Sequence, residues 1–212
     1  MSLCACAGAP SPTAPTAAVV PSLMSIGDTF DLAFYQALTQ NAYESPSQLE
    51  PVRRLHGPLR VYIRTEDNTG RAIDAATLET TERILVETVG VWSGEQFGIA
   101  EIARGTGTRE KQPGWVTIKW AGPSTSDRCG RSTVGVDGGF IEFNDLAQCS
   151  CGGPSRIYPR LVRHELGHAM GYYHTDQISD VMYGRTISPD GCDLQPSLRE
   201  RQVAQYVYRQ TK

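Results

Sequence analysis

The stretch His164-Glu165-Leu166-Gly167-His168-Ala169-Met170-Gly171-Tyr172-Tyr173-His174 sets three imidazoles and a carboxylate at fixed spacing. On a helix, residues four apart share a face, so His164 and His168 can turn both rings to one ion. Gly171 lets the chain leave that helix, because glycine takes positive φ without a Cβ clash. The turn returns His174 as a third nitrogen donor. Three nitrogen ligands suit zinc and leave a position open for water, the mark of a catalytic rather than a structural site. Glu165 neighbours a ligand without being one. It is the candidate general base, taking a proton from the water that attacks a carbonyl. The alternative is a helix that merely carries surface or core histidines. Three of the chain's four histidines fall within this one spaced motif, which argues against it.

The pattern resembles the metzincin signature, His-Glu-x-x-His-x-x-Gly-x-x-His followed by a methionine turn. Met182 comes eight residues after His174, within Ser179-Asp180-Val181-Met182-Tyr183-Gly184. This spacing and the Met-Tyr pair are most similar to the matrixin branch. The resemblance implies an α+β, zincin-like catalytic domain: a mixed twisted sheet over an active-site helix, with a Met-turn and a C-terminal helix. It implies one catalytic Zn2+ held by His164, His168 and His174, with Glu165 as catalytic base. Gly171 and Met182 would support the site, Met182 as an apolar floor beneath the ligands, a role close to that of any core methionine. Thr175 resembles the matrixin serine in carrying a hydroxyl. In metzincins an edge strand holds the substrate in extended form, a mode that uses main-chain hydrogen bonds. Residues 133–136, or the strand before them, are the candidate here. The implied activity is a zinc-dependent endopeptidase that cleaves internal peptide bonds with a zinc-activated water. Two alternatives are a non-catalytic zinc-binding recognition module on the same scaffold and an archaemetzincin-like aminopeptidase. The presence of Glu165 argues against the first. Cys149-Ser150-Cys151 does not match the Cys-x-x-Cys motifs of the second.

The chain also departs from that pattern. Matrixins of the vertebrate type carry a second, structural zinc on further histidines; only His56 remains here, so no second zinc is expected. No calcium-loop pattern stands out among the acidic residues, and calcium is left open. Arg128-Cys129-Gly130 resembles the heart of the matrixin cysteine switch, but it lies inside the catalytic region rather than before it. A disulfide is the expected use of Cys129, with Cys149 or Cys151 as partner and Cys192 taking the other. Metzincins with a tyrosine zinc ligand place it two residues after the Met, where this chain has Gly184. Tyr183 is therefore expected in the wall of the cleft rather than on the metal. Arg185 falls where metzincins shape the pocket for the residue after the scissile bond. It would favour acidic or long side chains there; a solvent-facing arginine is the alternative. Asp176 and Asp180 are either acceptors for a ligand imidazole or nearby backbone, or solvated loop carboxylates.

The elements that must position these residues follow from periodicity and caps. An amphipathic stretch carries Phe30, Ala33, Phe34, Ala37 and Leu38 on one helical face, with Asp28 as candidate N-cap. Leu59–Arg64 reads as a strand. Asp74 caps a helix burying Leu78, Thr81, Leu85, Val89 and Trp92, and Gly94 lies just past its end. Strands are expected at 99–103, Trp115–Trp120, 133–136 and Phe140–Phe143, the last two flanking a turn at Asp137-Gly138-Gly139. Pro159 opens a helix running to about Tyr172. Ser197-Leu198-Arg199-Glu200 is a capping box for a last helix over about 198–209.

The bulk numbers bound the rest. The chain has 212 residues, 40% hydrophobic and 20% charged, with a net charge of −3. That is ordinary for a globular domain with a core and a tail. No basic block suggests nucleic acid as partner, and no apolar run is long enough to span a membrane. A monomer acting on an extended protein or peptide substrate is expected. Residues 1–27, rich in Ala, Pro, Ser and Thr, read as a flexible tether; 28–54 as an N-terminal helix and loop; 55–212 as the catalytic domain. Six cysteines without a Cys-x-x-Cys pair point to disulfides and an oxidising compartment; buried free thiols in a cytosolic protein are the alternative. The expected location is secreted, periplasmic or on the cell surface. Leu3-Cys4-Ala5-Cys6 resembles the end of a bacterial lipobox, which would make Cys6 a lipid anchor; an ordinary tail cysteine is the alternative.

Overall fold

The sheet starts from Leu59–Arg64 (β1), where branched residues at alternate positions bury Leu59, Val61 and Ile63 completely or nearly so. The computed structural model describes residues 31–122, 128–144, 157–184 and 191–209. Around β1 a five-stranded sheet has the order β2-β1-β3-β5-β4. Here β2 is Ile99–Gly105, β3 is Trp115–Trp120, β4 is Gly130–Ser132 and β5 is Phe140–Phe143. The pairs β1–β2, β1–β3 and β3–β5 are parallel, and β4 runs antiparallel to β5. Central β3 is almost wholly buried, as a strand covered on both faces must be. Edge strand β2 has no fully buried residue.

Before β1 comes helix α1, Leu32–Gln40, and after it helix α2, Ala75–Trp92. Asp74 caps α2 as its sequence implies, accepting the Thr77 N–H at 2.8 Å. The described cap of α1 is Asp31, which accepts from the Phe34 N–H; Asp28 and Phe30 lie outside the described residues. Phe34 and Leu38 of α1 enter the core, whereas Ala33 stays exposed and Ala37 is half-buried. The chain from Asp31 onward forms one compact unit that includes α1.

Helix α3, Pro159–Ala169, carries the first two histidines, and α4, Leu198–Arg209, closes the chain. The capping box forms: Ser197 Oγ accepts the Glu200 N–H, and Glu200 Oε2 accepts the Ser197 N–H at 2.6 Å. No described helix is long and apolar enough to cross a membrane. The architecture is α+β, a mixed five-stranded sheet with helix α3, a methionine-bearing turn and the C-terminal helix α4.

Two expectations are corrected. Residues 133–136 are not a strand: β4 lies three residues earlier, at Gly130–Ser132, and 133–139 is the connection to β5. The reason is Gly135, which sits at φ 56° to donate its N–H to the His168 carbonyl at 3.0 Å instead of to a strand. Helix α3 ends at Ala169 rather than near Tyr172, because Gly171 turns to φ 106° and its N–H bonds back to the His168 carbonyl.

Candidate metal centre

Helix α3 is anchored before it presents any ligand. Pro159 stands at its start. The Trp92 indole of α2 donates to the Arg163 carbonyl at 3.0 Å, and the Tyr172 hydroxyl returns to the Trp92 carbonyl at 2.8 Å. From the far end, the Tyr208 hydroxyl of α4 donates to the Met170 carbonyl at 2.8 Å. The helix and the turn after it are thus tied to α2 and α4 at both ends.

His164, His168 and His174 converge, with their ligand atoms all within 4.8 Å of one another. Each ring is oriented from behind. His164 Nδ1 lies 2.8 Å from the Val181 carbonyl, and His168 Nδ1 lies 2.7 Å from the Tyr172 carbonyl. His174 Nδ1 lies 2.7 Å from Glu44 Oε1. A carbonyl oxygen only accepts, so His164 and His168 carry their protons on Nδ1 and present bare Nε2 lone pairs. Nε2 of His168 and Nε2 of His174 face each other at 3.1 Å. Four-coordinate zinc with Zn–N bonds of ~2.0–2.1 Å needs ligand nitrogens about 3.3 Å apart. The His168–His174 pair meets that spacing, and the three histidines together can hold a metal ion. Burial keeps His164 neutral, its pKa well below the ordinary value, with the other two imidazoles adding to the effect. Burial, then His174, lowers that of His168 to about 3. Neutral imidazole is the form that ligates a metal.

Glu165 is buried beside the triad, at 3% exposure. Burial pushes its pKa up to about 8, opposed by the Ser132 hydroxyl, which donates to Oε2 at 2.8 Å. Gly130 of β4 makes room for this carboxylate: a Cβ there would come 2.5 Å from Oε1. Arg128-Cys129-Gly130, similar in sequence to a cysteine switch, thus supplies the close approach of the edge strand to Glu165.

Met182 is fully buried, with its Sδ against Gly167 of α3. Gly167, between the two helical histidines, has no Cβ because Met182 Sδ and Trp92 occupy that space. Glu200 of α4 holds the turn by accepting the N–H groups of Val181 and Met182 at 3.1 and 2.8 Å. Burial raises the Glu200 pKa to about 7 against those hydrogen bonds. Asp180 is wholly buried and accepts from Thr175 and Ser197 hydroxyls and from the Arg199 guanidinium. Asp176 is exposed. Thr175 and Tyr183 are bridged as neighbouring extended segments, so the third ligand and the Met-turn share a short ladder.

The three histidines and Glu165 line a cleft of about 700 Å3, to which β4, Tyr183 and Gly184 also contribute. Tyr183 is half-buried in that wall. Gly184 passes so close to His174 that a Cβ would lie 2.8 Å from its ring.

His164, His168 and His174 can hold a metal ion. No family model matches the chain, and no curated relative matches it. The structure is similar to the crystal structure of metalloproteinase-II from Bacteroides fragilis, with a TM-score of 0.49 and 12% identity. The likeness covers 74% of this chain and 54% of that one, so the chain spans about half the length of that structure. The three histidines of this chain, and not that likeness, carry the metal-site reading.

Arg185, Cys149, Cys151, Cys6 and the 1–27 stretch lie outside the described residues. His56 is exposed and outside the cleft. Sequence reading missed Glu44, Ser132 and Gly130 as parts of the site. Glu44 had no signal to find it by, being 130 residues from His174. Ser132 immediately precedes the expected edge strand at 133–136, and its place beside Glu165 had no signal of its own.

Proposed function

We propose that the protein is a zinc-dependent endopeptidase that hydrolyses internal bonds of extended peptides, of the metzincin kind and closest to the matrixin branch. The observation that carries this reading is the convergence of the ligand nitrogens of His164, His168 and His174 in a cleft that Glu165 also lines. His164, His168 and His174 would hold the ion. Zinc, when bound, supplies a Lewis acid for the carbonyl and an acidified water. Glu165 accepts the proton from the attacking water and passes it to the leaving amine, held in place by the Ser132 hydroxyl. Edge strand β4 borders the cleft and offers main-chain groups to an extended peptide. A cleft open along this strand accommodates chain on both sides of the cut bond, which suits an endopeptidase. We further propose that the protein acts as a monomer in an oxidising location, secreted, periplasmic or at the cell surface. Cys129 and Cys192, both in disulfide form, support that placement.

The test is metal analysis of purified protein together with a mixed-peptide digest, with Glu165→Ala as control. One equivalent of zinc and cleavage at internal bonds are expected, with activity reduced by ~100-fold or more in Glu165→Ala while zinc is retained. Undiminished cleavage by the variant would remove Glu165 as base. One equivalent of zinc with no cleavage of any peptide would point to a binding module instead.

A further inference from the structure

Beside His164 the cleft holds a buried cation that no carboxylate hydrogen-bonds among the described residues. Arg160 lies one helical turn before His164 on the same face of α3. With Leu161, Tyr183 and Gly184 it lines the cleft on the Met-turn side. Its side chain is 1% exposed. Nη2 donates to the backbone carbonyl of Asp180 at 2.7 Å, not to the carboxylate. Nη1 has no hydrogen-bond partner among the described residues.

Both buried carboxylates nearby are committed elsewhere. Asp180 accepts from Thr175, Ser197 and Arg199. Glu200 accepts three backbone N–H groups. Burial accordingly lowers the Arg160 pKa below its ordinary value, the mark of a charge short of compensation. An unpaired donor on a buried charge is costly, more so than on a neutral group. Arg131 also lines the cleft but is paired with Glu142, and the lining carboxylates are Glu165, the base, and Glu44, bound to His174. A buried guanidinium with an open donor attracts a negative side chain and disfavours a positive one.

We propose that Arg160 is a specificity determinant that selects peptides with Asp or Glu at the position seated between α3 and the Met-turn, the substrate carboxylate bonding to Nη1. An apolar side chain there would leave Nη1 unpaired, and a lysine would meet a like charge. The proposal rests on the peptidase reading and adds the chemical class of its substrate.

The test uses peptides identical except for Glu, Gln, Leu or Lys at each position around the scissile bond, with the zinc-loaded full chain. At one position kcat/KM is expected to favour Glu over the isosteric Gln by ~10-fold or more, since charge-assisted bonds to arginine are stronger than neutral ones. Fluorescence anisotropy on the Glu165→Gln protein reads the same preference in binding, without turnover. Arg160→Gln is expected to abolish it. Where that variant does not fold, Arg160→Lys replaces it and is expected to weaken the preference, because a single ammonium lacks the guanidinium's second Nη donor. Equal rates for Glu and Gln peptides at every position, with cleavage intact, overturn this proposal and leave the peptidase reading standing. Undiminished preference in the Arg160 variants overturns it as well. No cleavage of any peptide overturns both.

Discussion

At the scale of single residues, the candidate centre depends on what stands behind each imidazole. Two rings are oriented by backbone carbonyls, which no side-chain substitution removes. The third is oriented by a side chain, Glu44. Partners of this kind fix the tautomer and raise ligand basicity, and losing one costs ~10–100-fold in metal affinity. Glu44→Ala is therefore expected to weaken zinc binding by that order, measured by competition with a chromophoric chelator. His56→Ala is the matched control, since His56 lies outside the cleft and should leave zinc affinity unchanged. Glu44 was invisible in the sequence because a hydrogen bond between distant segments leaves no periodic trace. Glu165 was legible because its position next to a ligand is itself part of the motif.

Between elements, the Met-turn is held by α4 through two buried carboxylates. Asp180 receives Thr175, Ser197 and Arg199, and Glu200 receives the turn's own N–H groups. Replacing Asp180 by Ala strands these donors and is expected to destabilise the fold by ~1–3 kcal/mol, read from the urea midpoint. A second loop, between β1 and α2, sets a pH dependence. Buried Asp67 accepts from the Thr69 hydroxyl, from the Thr69 and Arg71 N–H groups and from the Arg71 guanidinium. The Thr69 hydroxyl bond, aided by the others and opposed by burial, holds its pKa well below the ordinary 3.8. A folded pKa below the unfolded one means stability that is present above the unfolded value and lost as pH falls through the folded one. Asp67→Asn is accordingly expected to be less stable than the parent at neutral pH. The difference should narrow below about pH 4 in denaturation series run from pH 7 downward. The capping box Ser197-Leu198-Arg199-Glu200 was readable as a helix start, and α4 begins there. Its second use, gripping the Met-turn, was not readable, because a cap is a local pattern and the turn it grips is brought there by packing.

At the scale of the whole molecule, the candidate ligands of α3 and of the turn after it meet at one point, with Glu44 from the loop after α1 behind His174, so metal binding and fold are linked. An ion that binds only the folded chain stabilises it by RT ln(1 + [L]/Kd), about 2.7 kcal/mol at a hundredfold excess over Kd. Chelation is expected to lower Tm, and added zinc to raise it in a concentration-dependent way, by differential scanning calorimetry. A Tm indifferent to zinc would contradict a formed three-histidine site. What the sequence alone determined is local in origin. The spacing of His164 and His168, the glycine exit at Gly171, the Asp74 cap and the alternation of β1 each follow from a helix or strand period within a few residues. They set the positions of α2, β1 and the start of α3 and the spacing of the histidine triad, but not the position of β4. The tertiary structure decided the remainder. It placed Gly130 and Ser132 of β4 against Glu165 and brought Glu44 to His174. It also buried Arg160 beside the ligands with one Nη unpaired. The physical reason is that periodicity reports which face of an element is buried, whereas the neighbour of that face is chosen by long-range packing, which leaves no mark in nearby sequence.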